Sequence, residues 1–218
     1  MGHGDGPDAR GQKGPGHHRH GCILGVVGWS GSGKTTLLTA LIPLLRARGL
    51  SVSTVKHAHH GFDMDRPGKD TYRHREAGAH EVMVATAKRW ALLHEVDGPE
   101  PALPELLARM EAVDLVLVEG FKTHEFPKLE VHRPALGKPP IWPEFPDVVA
   151  VATDAPLGAS LAAPLAAPLA DCKRAVLPLN DPATIAVWVA ALLPIKSFGP
   201  AVSGGPISSP LQGSAVDL

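Results

Sequence analysis

A glycine-rich segment near the start of the chain carries the residue types that bind phosphate. The sequence GWSGSGKT, from Gly28 to Thr35, matches G-x-x-x-x-G-K-[ST] at every fixed position. Glycines at this spacing let backbone N–H groups surround phosphate oxygens, and Lys34 can reach the β- and γ-phosphates. The Thr35 hydroxyl suits Mg²⁺, so this P-loop segment predicts binding of a nucleoside triphosphate with magnesium. The expected nucleotide contacts are Gly28, Ser30, Gly31, Ser32, Gly33, Lys34, Thr35 and Thr36.

A metal-bound triphosphate also needs an acidic residue on a neighbouring strand. Two acids flank one apolar segment, with Asp114 before it and Glu119 after it. At about 3.3 Å per residue, Asp114 would lie roughly 16 Å from the carboxyl end of that strand, where ligands bind in open α/β sheets. Glu119 lies at that end. We therefore expect Glu119 to bind magnesium together with Thr35. We expect Glu119 and Lys34 to be the catalytic residues and Asp114 to be structural.

A histidine-rich segment follows the second predicted strand, with the sequence KHAHHGFDMDRPGKD from Lys56 to Asp70. Three histidines and two aspartates lie within nine of its residues and could bind a transition metal. The same residues could equally form a loop that senses phosphate, or a solvated loop. The segment leaves the same edge of the sheet as the glycine-rich segment, which favours a functional role. Of the two functional roles, the metal site is less favoured than the phosphate-sensing loop.

Apolar strands that alternate with amphipathic helices must position these residues. Strands are predicted at Cys22–Gly28, Leu50–His57, Glu81–Ala85, Trp90–Val96, Val113–Val118, Leu129–His132, Val148–Ala152 and Ala175–Leu177. Helices are predicted at Gly33–Arg48 (with a kink at Pro43), Pro67–Ala79 and Pro101–Glu111, and a last one begins at Asp181–Pro182. This alternation indicates an α/β fold, a P-loop domain whose mostly parallel sheet has helices on both faces. The segments 81–85 and 90–96 predict an added β-hairpin.

Three segments have compositions that do not support a packed core. Residues 1–21 are rich in glycine and histidine, and residues 196–218 are rich in serine, glycine and proline, so both should be disordered tails. Residues 157–170 repeat the letters LAAP, and proline at this spacing cannot sustain a helix, which predicts a linker insert. The nucleotide-binding domain is therefore expected over residues 22–195.

Composition limits the possible classes of protein. Hydrophobic residues make up 44% of the 218 residues, which supports a packed core. With 21 basic and 22 acidic residues, the net charge of -1 argues against nucleic-acid binding by bulk electrostatics. Only 2 cysteines are present, and no apolar run approaches the about 20 residues needed to cross a bilayer. We expect a cytoplasmic protein without a nucleic-acid or membrane partner.

Beyond these motifs, the chain resembles the molybdopterin-guanine dinucleotide biosynthesis protein B family of GTP-binding adaptors. The resemblance covers about residues 23–193 and depends on GWSGSGKTTL, VKHAHHGFDMDRPGKDTYRHREAGA, VMVATAKRWALL and DLVLVEGFK. It implies a homodimeric P-loop protein that binds GTP and hydrolyses it weakly. It also implies two partners, molybdopterin and the guanylyltransferase that makes the dinucleotide form of the molybdenum cofactor. The residues that match the family's second-strand block, without individual roles, are Lys56, His57, His59, His60, Asp65 and Asp70.

Guanine specificity follows from the resemblance alone, because the chain has no N-K-x-D signature, although a base-reading segment could lie at Ala152–Asp154. Two other classes remain open. The first is a GTPase metallochaperone for nickel enzymes, suggested by the tail histidines, although Cys22 and Cys172 do not cluster with them. Those histidines are His17, His18 and His20. The second is a small-metabolite kinase or ligase, whose lid would need the arginines Arg66, Arg73 and Arg75.

Overall fold

The structure is a computed structural model that describes residues 20–58, 65–155 and 174–193. Its strands are β1 Cys22–Val27, β2 Val52–Lys56, β3 Glu81–Ala85, β4 Trp90–His94, β5 Leu115–Glu119, β6 Lys128–His132, β7 Val148–Thr153 and β8 Ala175–Pro178. Its α-helices are α1 Lys34–Arg46, α2 Asp70–Glu76, α3 Leu103–Ala108 and α4 Pro182–Ala191. No helix among the described residues is long and apolar enough to span a membrane.

Six strands form one parallel sheet in the order β2-β5-β1-β6-β7-β8, while β3 and β4 form a separate antiparallel hairpin. In the register of the large sheet, Glu119 of β5 lies between Lys56 of β2 and Val26 of β1. Since all strands of this sheet run the same way, their carboxyl ends meet at one edge. The predicted α/β class with a mostly parallel sheet and an added hairpin is confirmed.

Apolar side chains cover both faces of the large sheet. On one face, α1 and α4 pack through Leu41 and Ile185, which are completely buried. On the other face, Leu107 of α3 packs against Val116 and Val118 of β5. Further along that face, a segment without regular secondary structure, residues 138–147, covers β1 and β7. The predicted helices on both faces are present, with this segment taking the place of a helix over part of the sheet.

Strand β6 carries a buried row of ionisable side chains that the apolar pattern did not predict. Lys128, Glu130 and His132 occupy alternate positions, so they share one face of the strand. Lys128 pairs with Asp147. The Glu130 carboxylate accepts the backbone N–H groups of Ile141 (2.8 Å) and Trp142 (3.0 Å). His132 contacts the carbonyl oxygen of Lys138. These contacts hold the segment 138–147 against the sheet.

The buried carboxyl of Glu130 should make the stability of the fold depend on pH. Burial raises the pKa of Glu130 above its ordinary value of 4.5, although the two N–H donors and His132 oppose this. Because the folded pKa is the higher one, the stabilisation is present below the unfolded pKa and is lost as the pH rises through the folded pKa. In urea unfolding, the wild type should therefore lose stability relative to Glu130→Gln as the pH rises above 4.5. Glu125→Gln, at an exposed position, is the control substitution. A stability difference between the wild type and Glu130→Gln that does not change with pH would contradict the assignment.

The amino-terminal boundary of the fold lies earlier than predicted. His20, assigned to the disordered tail, is only 5% exposed. Its Nε2 lies 3.0 Å from the carbonyl oxygen of Leu107, and its Nδ1 accepts the N–H of Val113 at 3.4 Å. The packed chain therefore includes His20 and Gly21, and residues 1–19 lie outside the described part, as do the predicted insert 157–170 and tail 196–218.

Helix α3, at Leu103–Ala108, is shorter at both ends than the predicted Pro101–Glu111, and the bounds of α2 differ as well. Helix α2 was expected to start at Pro67, yet it begins at Asp70, because Gly68 has a φ of 85°, which a right-handed helix cannot contain. Helix α1 stops before Gly49, as expected; it contains Pro43, where the kink stays a prediction. At the last helix, the predicted cap is confirmed, since the Asp181 carboxylate accepts the N–H groups of Ala183 and Thr184.

Candidate nucleotide-binding site

The glycine-rich segment connects β1 to α1, so the strand–loop–helix context that the motif needs is present. Helix α1 starts at Lys34, directly after Gly33, whose φ is 95°. The loop passes so close to β6 that a Cβ on Gly28 would lie 2.4 Å from the carbonyl oxygen of Val131. Only glycine fits there. The free N–H groups at the start of α1 and the partial positive charge of the helix therefore face the loop, where a phosphate can bind.

Three lysines surround this loop. Lys34 donates hydrogen bonds to the carbonyl oxygens of Gly28 (3.1 Å) and Trp29 (2.9 Å). Burial lowers the pKa of Lys34, the carboxylate of Glu119 opposes this, and Lys122 and Lys56 lower it further. Lys122 was not among the predicted site residues, although its position three residues after Glu119, at the same strand end, was the available signal. The combined charge of the three lysines suits a triphosphate.

The predicted metal ligands lie side by side. The hydroxyl of Thr35 donates to the Glu119 carboxylate, at 3.2 Å from each of its oxygens, and Nζ of Lys56 lies 3.6 Å from Glu119. A hydroxyl and a carboxylate are the oxygen ligands that Mg²⁺ prefers, so these two residues fit the ion. Asp114 lies at the opposite end of β5, where its carboxylate accepts the backbone N–H (2.9 Å) and hydroxyl (2.8 Å) of Ser51. The structural role predicted for Asp114 is confirmed.

His57 lies beside the same edge of the sheet and contacts Phe121 and Glu100, which are outside the P-loop. Its ring stacks on Phe121 with centroids 4.6 Å apart, and its Nε2 lies 2.6 Å from a carboxylate oxygen of Glu100. Strands β2 and β5 approach each other here, since a Cβ on Gly120 would lie 2.8 Å from the Cβ of His57. The φ of Gly120 is 102°, so the close approach and the backbone conformation both require glycine.

The rest of the histidine-rich segment is only partly described. His59 and His60 lie outside the described residues. Asp65 accepts the hydroxyl of Thr71 at 2.7 Å, and Asp70 is the exposed first residue of α2, so the structure associates both aspartates with this helix. A role for them in nucleotide binding stays a prediction. Of the lid arginines, Arg75 contacts Glu95 and the ring of Tyr72. The described ranges contain no group of three or more His, Cys, Asp or Glu residues that could hold a metal.

Arg133, at the end of β6, contacts the P-loop and was not anticipated from the sequence. Its Nε donates to the carbonyl oxygen of Ser32 at 2.9 Å, and its guanidinium pairs with Asp154 at 2.6 Å. The carbonyl and the N–H of a planar trans peptide point in opposite directions. By holding the Ser32 carbonyl, Arg133 therefore directs the N–H of Gly33 to the other side of the loop. Asp154, from the segment where base reading was considered, is the residue that pairs with Arg133.

A P-loop at the edge of a parallel sheet, with an adjacent threonine–glutamate pair and three lysines, defines a P-loop nucleotide-binding protein. The chain belongs to the MobB family, since the family model described as molybdopterin guanine dinucleotide synthesis protein B matches residues 23–154.

Relatives and solved structures agree with this family. The chain is 48% identical over 139 residues to a molybdopterin-guanine dinucleotide biosynthesis adapter protein of Haemophilus influenzae, covering 62% of this chain and 76% of the relative. It is 46% identical over 144 residues to the Escherichia coli adapter protein of that name, covering 64% and 82%. A crystal structure of molybdopterin-guanine biosynthesis protein B matches with a TM-score of 0.57 and 26% identity, over 78% of this chain and 99% of that one.

Proposed function

We propose that this protein binds GTP with Mg²⁺ and acts as an adaptor for the guanylyltransferase that makes molybdopterin guanine dinucleotide. Family membership supports the pathway, and the contact between Thr35 and Glu119, beside Lys34, is the observation that supports the nucleotide chemistry. Guanine as the base is supported by the family resemblance. We place the protein in the cytoplasm, with the guanylyltransferase and molybdopterin as partners and without a nucleic-acid partner.

Each part of the site has a distinct task in this proposal. The first N–H groups of α1 and Lys34 bind the β- and γ-phosphates, and Thr35 and Glu119 hold the magnesium ion. The ion neutralises negative charge on those phosphates. Lys122 adds positive charge at the terminal end, and Glu119 can also orient a water molecule there. Hydrolysis should be slow, below the rate of about 1 s⁻¹ that typical enzymes reach.

The metal assignment is tested by removing the charge of Glu119. Glu119→Gln keeps the side-chain volume but weakens binding of Mg²⁺, so we expect magnesium to improve GTP affinity less than in the wild type and hydrolysis to slow further. Asp114→Asn is the matched control, because that carboxylate bonds Ser51 at the other end of the strand. Calorimetric titration of GTP with and without Mg²⁺ measures the affinity, and release of inorganic phosphate measures the hydrolysis. Loss of hydrolysis in Asp114→Asn but not in Glu119→Gln would reverse the assignment.

The base and the pathway are tested separately. The nucleotide released when freshly purified protein is denatured should be GTP or GDP, identified by chromatography, and adenine nucleotides would contradict the guanine assignment. In a reconstituted reaction with the guanylyltransferase, molybdopterin and GTP, the protein should increase the yield of dinucleotide cofactor. An unchanged yield would contradict the adaptor role.

We further propose that two copies associate through an apolar patch on the hairpin, made of Met83, Trp90 and Leu92. Register places Met83 opposite Leu92, and Ala85 opposite Trp90, so all four share one face. Met83 and Trp90 are 61% and 63% exposed, while α2, which precedes the hairpin, buries no residue. An isolated two-stranded sheet with an exposed apolar face is only marginally stable, and a second copy would cover that face. The homodimer implied by the family resemblance agrees with this.

A charge placed in the patch should separate the copies. In sedimentation experiments we expect a dimer for the wild type and a monomer for Met83→Glu or Leu92→Glu, because burying an unpaired carboxylate in an interface is costly. Val187→Glu is the control, since Val187 is an exposed apolar residue (56%) on α4, away from the hairpin. A dimer that persists in both patch variants would show that the copies meet elsewhere.

A further inference from the structure

A cavity of about 510 Å³ opens beside the phosphate site, between the end of β2, the turn before α3 and the loop after β5. Its volume is that of a small-molecule site. Among its lining residues, those with rings or polar groups are His57, Glu100, Phe121, Lys122, Thr123 and His124. Apart from Lys122, none of these has a task in the nucleotide site described above.

One wall of the cavity is aromatic. The rings of His57 and Phe121 are stacked at 4.6 Å with 28° between their planes, and His124 meets Phe121 edge-on at 5.0 Å. Phe121 has a φ of 50°, an uncommon conformation for a bulky residue, and its side chain is buried. A fixed wall of rings favours a flat, unsaturated ligand, which can stack against it.

The polar groups that line the cavity determine two further properties of the ligand. The Glu100 carboxylate bonds His57 on one side and is 64% exposed, so it remains accessible to a ligand. A carboxylate accepts two parallel N–H donors from one planar edge. Lys122 and Thr123 supply an ammonium group and a hydroxyl in the same cavity, which together suit an anionic group. The ligand chemistry is thus a flat ring with adjacent N–H donors and a negatively charged substituent.

The position of the cavity separates it from the base of the bound nucleotide. His57 and Gly120 line the cavity, and both are next to Glu119. Gly120 follows Glu119 in the chain, and the backbone N–H of His57 donates to the Glu119 carbonyl oxygen at 2.9 Å. Glu119 and Thr35 would hold magnesium at the β- and γ-phosphates. The cavity therefore borders the terminal-phosphate end of the site, whereas the base is attached at the other end of the triphosphate.

We propose that this cavity binds the pterin ring of the cofactor precursor, an inference that depends on the proposed function. A pterin is flat, and its 2-amino-4-oxo edge presents the adjacent N–H donors that Glu100 would accept. Because a dinucleotide links two phosphorylated units, the pterin unit carries its own phosphate, which Lys122 and Thr123 would bind. Guanine has the same 2-amino-4-oxo edge, so the experiment must distinguish the two rings.

The probe is pterin-6-carboxylate, a fluorescent pterin with an anionic substituent, titrated with the full chain. We expect saturable binding, an affinity at least tenfold lower for Glu100→Gln, and a several-fold loss for Lys122→Met. Glu105→Gln is the matched control, because Glu105 is an exposed residue of α3 that does not line the cavity. No saturable binding, or binding that Glu100→Gln leaves unchanged, would overturn the proposal.

Two further arms separate this inference from the proposed function. Guanosine should displace the probe at least tenfold less effectively than unlabelled pterin-6-carboxylate, and equal displacement would make the cavity a guanine site. GTP binding, measured in parallel, should be within twofold of wild type in Glu100→Gln. A wild type that binds GTP but not the pterin rejects this inference alone, and a wild type that does not bind GTP rejects the proposed function.

Discussion

Replacing Lys34 by alanine should weaken GTP binding tenfold to hundredfold. The loss corresponds to about 1.4–2.8 kcal/mol, the usual size of a charge-assisted hydrogen bond to phosphate. In the structure, Nζ of Lys34 bonds only backbone carbonyl oxygens among its described hydrogen-bond partners, those of Gly28 and Trp29. The side chain therefore adds little to the packed core, and the unfolding transition in urea should stay close to that of the wild type.

Lys56→Ala is the comparison for this experiment, because it removes an exposed lysine charge from the same site. Lys56 contributes a positive charge near Glu119, but its side chain is 63% exposed, so water screens its effect on the phosphates. We expect less than a threefold change in GTP affinity for Lys56→Ala, measured by calorimetry under the same conditions. If folded Lys34→Ala binds GTP as tightly as the wild type, the glycine-rich loop is not the phosphate site.

The residues that could be predicted from the sequence are those whose role depends on local chain geometry. The position of the P-loop follows from glycine spacing between a strand and a helix, and both elements are present. Glu119 was preferred to Asp114 as the magnesium ligand because the two residues lie at opposite ends of one strand, and only the carboxyl end is near the P-loop. Both predictions use only residues that are neighbours in the chain, so no knowledge of the sheet order was needed.

Residues that depend on sheet order could not be predicted. Arg133 reaches Ser32 across 101 positions, and this contact exists only because β6 lies next to β1. The predicted strand Leu129–His132 contained Glu130 and stopped short of Lys128, and it gave no sign that the polar groups of both residues are bonded to the segment 138–147. The start of α2 was misplaced because the preference of proline for a first helical position was weighed without the left-handed conformation of Gly68.

Arg133→Ala should lower the affinity for GTP about tenfold, even though we expect Arg133 to act on the nucleotide through the loop. Without its guanidinium, the Ser32 carbonyl loses its donor, and the Ser32–Gly33 peptide can rotate so that the Gly33 N–H no longer faces a phosphate. One such neutral hydrogen bond is typically worth about 1 kcal/mol, and a loosened loop adds to the loss. Arg133→Lys keeps one donor and should recover part of the affinity, while Arg109→Ala, at an exposed arginine after α3, should have no effect.

The partner of Arg133 allows a sharper test of this role. Asp154→Asn weakens the ion pair that holds the guanidinium, so it should weaken GTP and ATP binding by the same factor. If the two residues act as one unit, the double variant Arg133→Ala/Asp154→Asn should bind GTP no more weakly than Arg133→Ala alone. Additive losses would show that Asp154 acts independently. A loss in Asp154→Asn that is confined to GTP would show that this carboxylate reads the guanine base, the role that its place at the end of β7 first suggested.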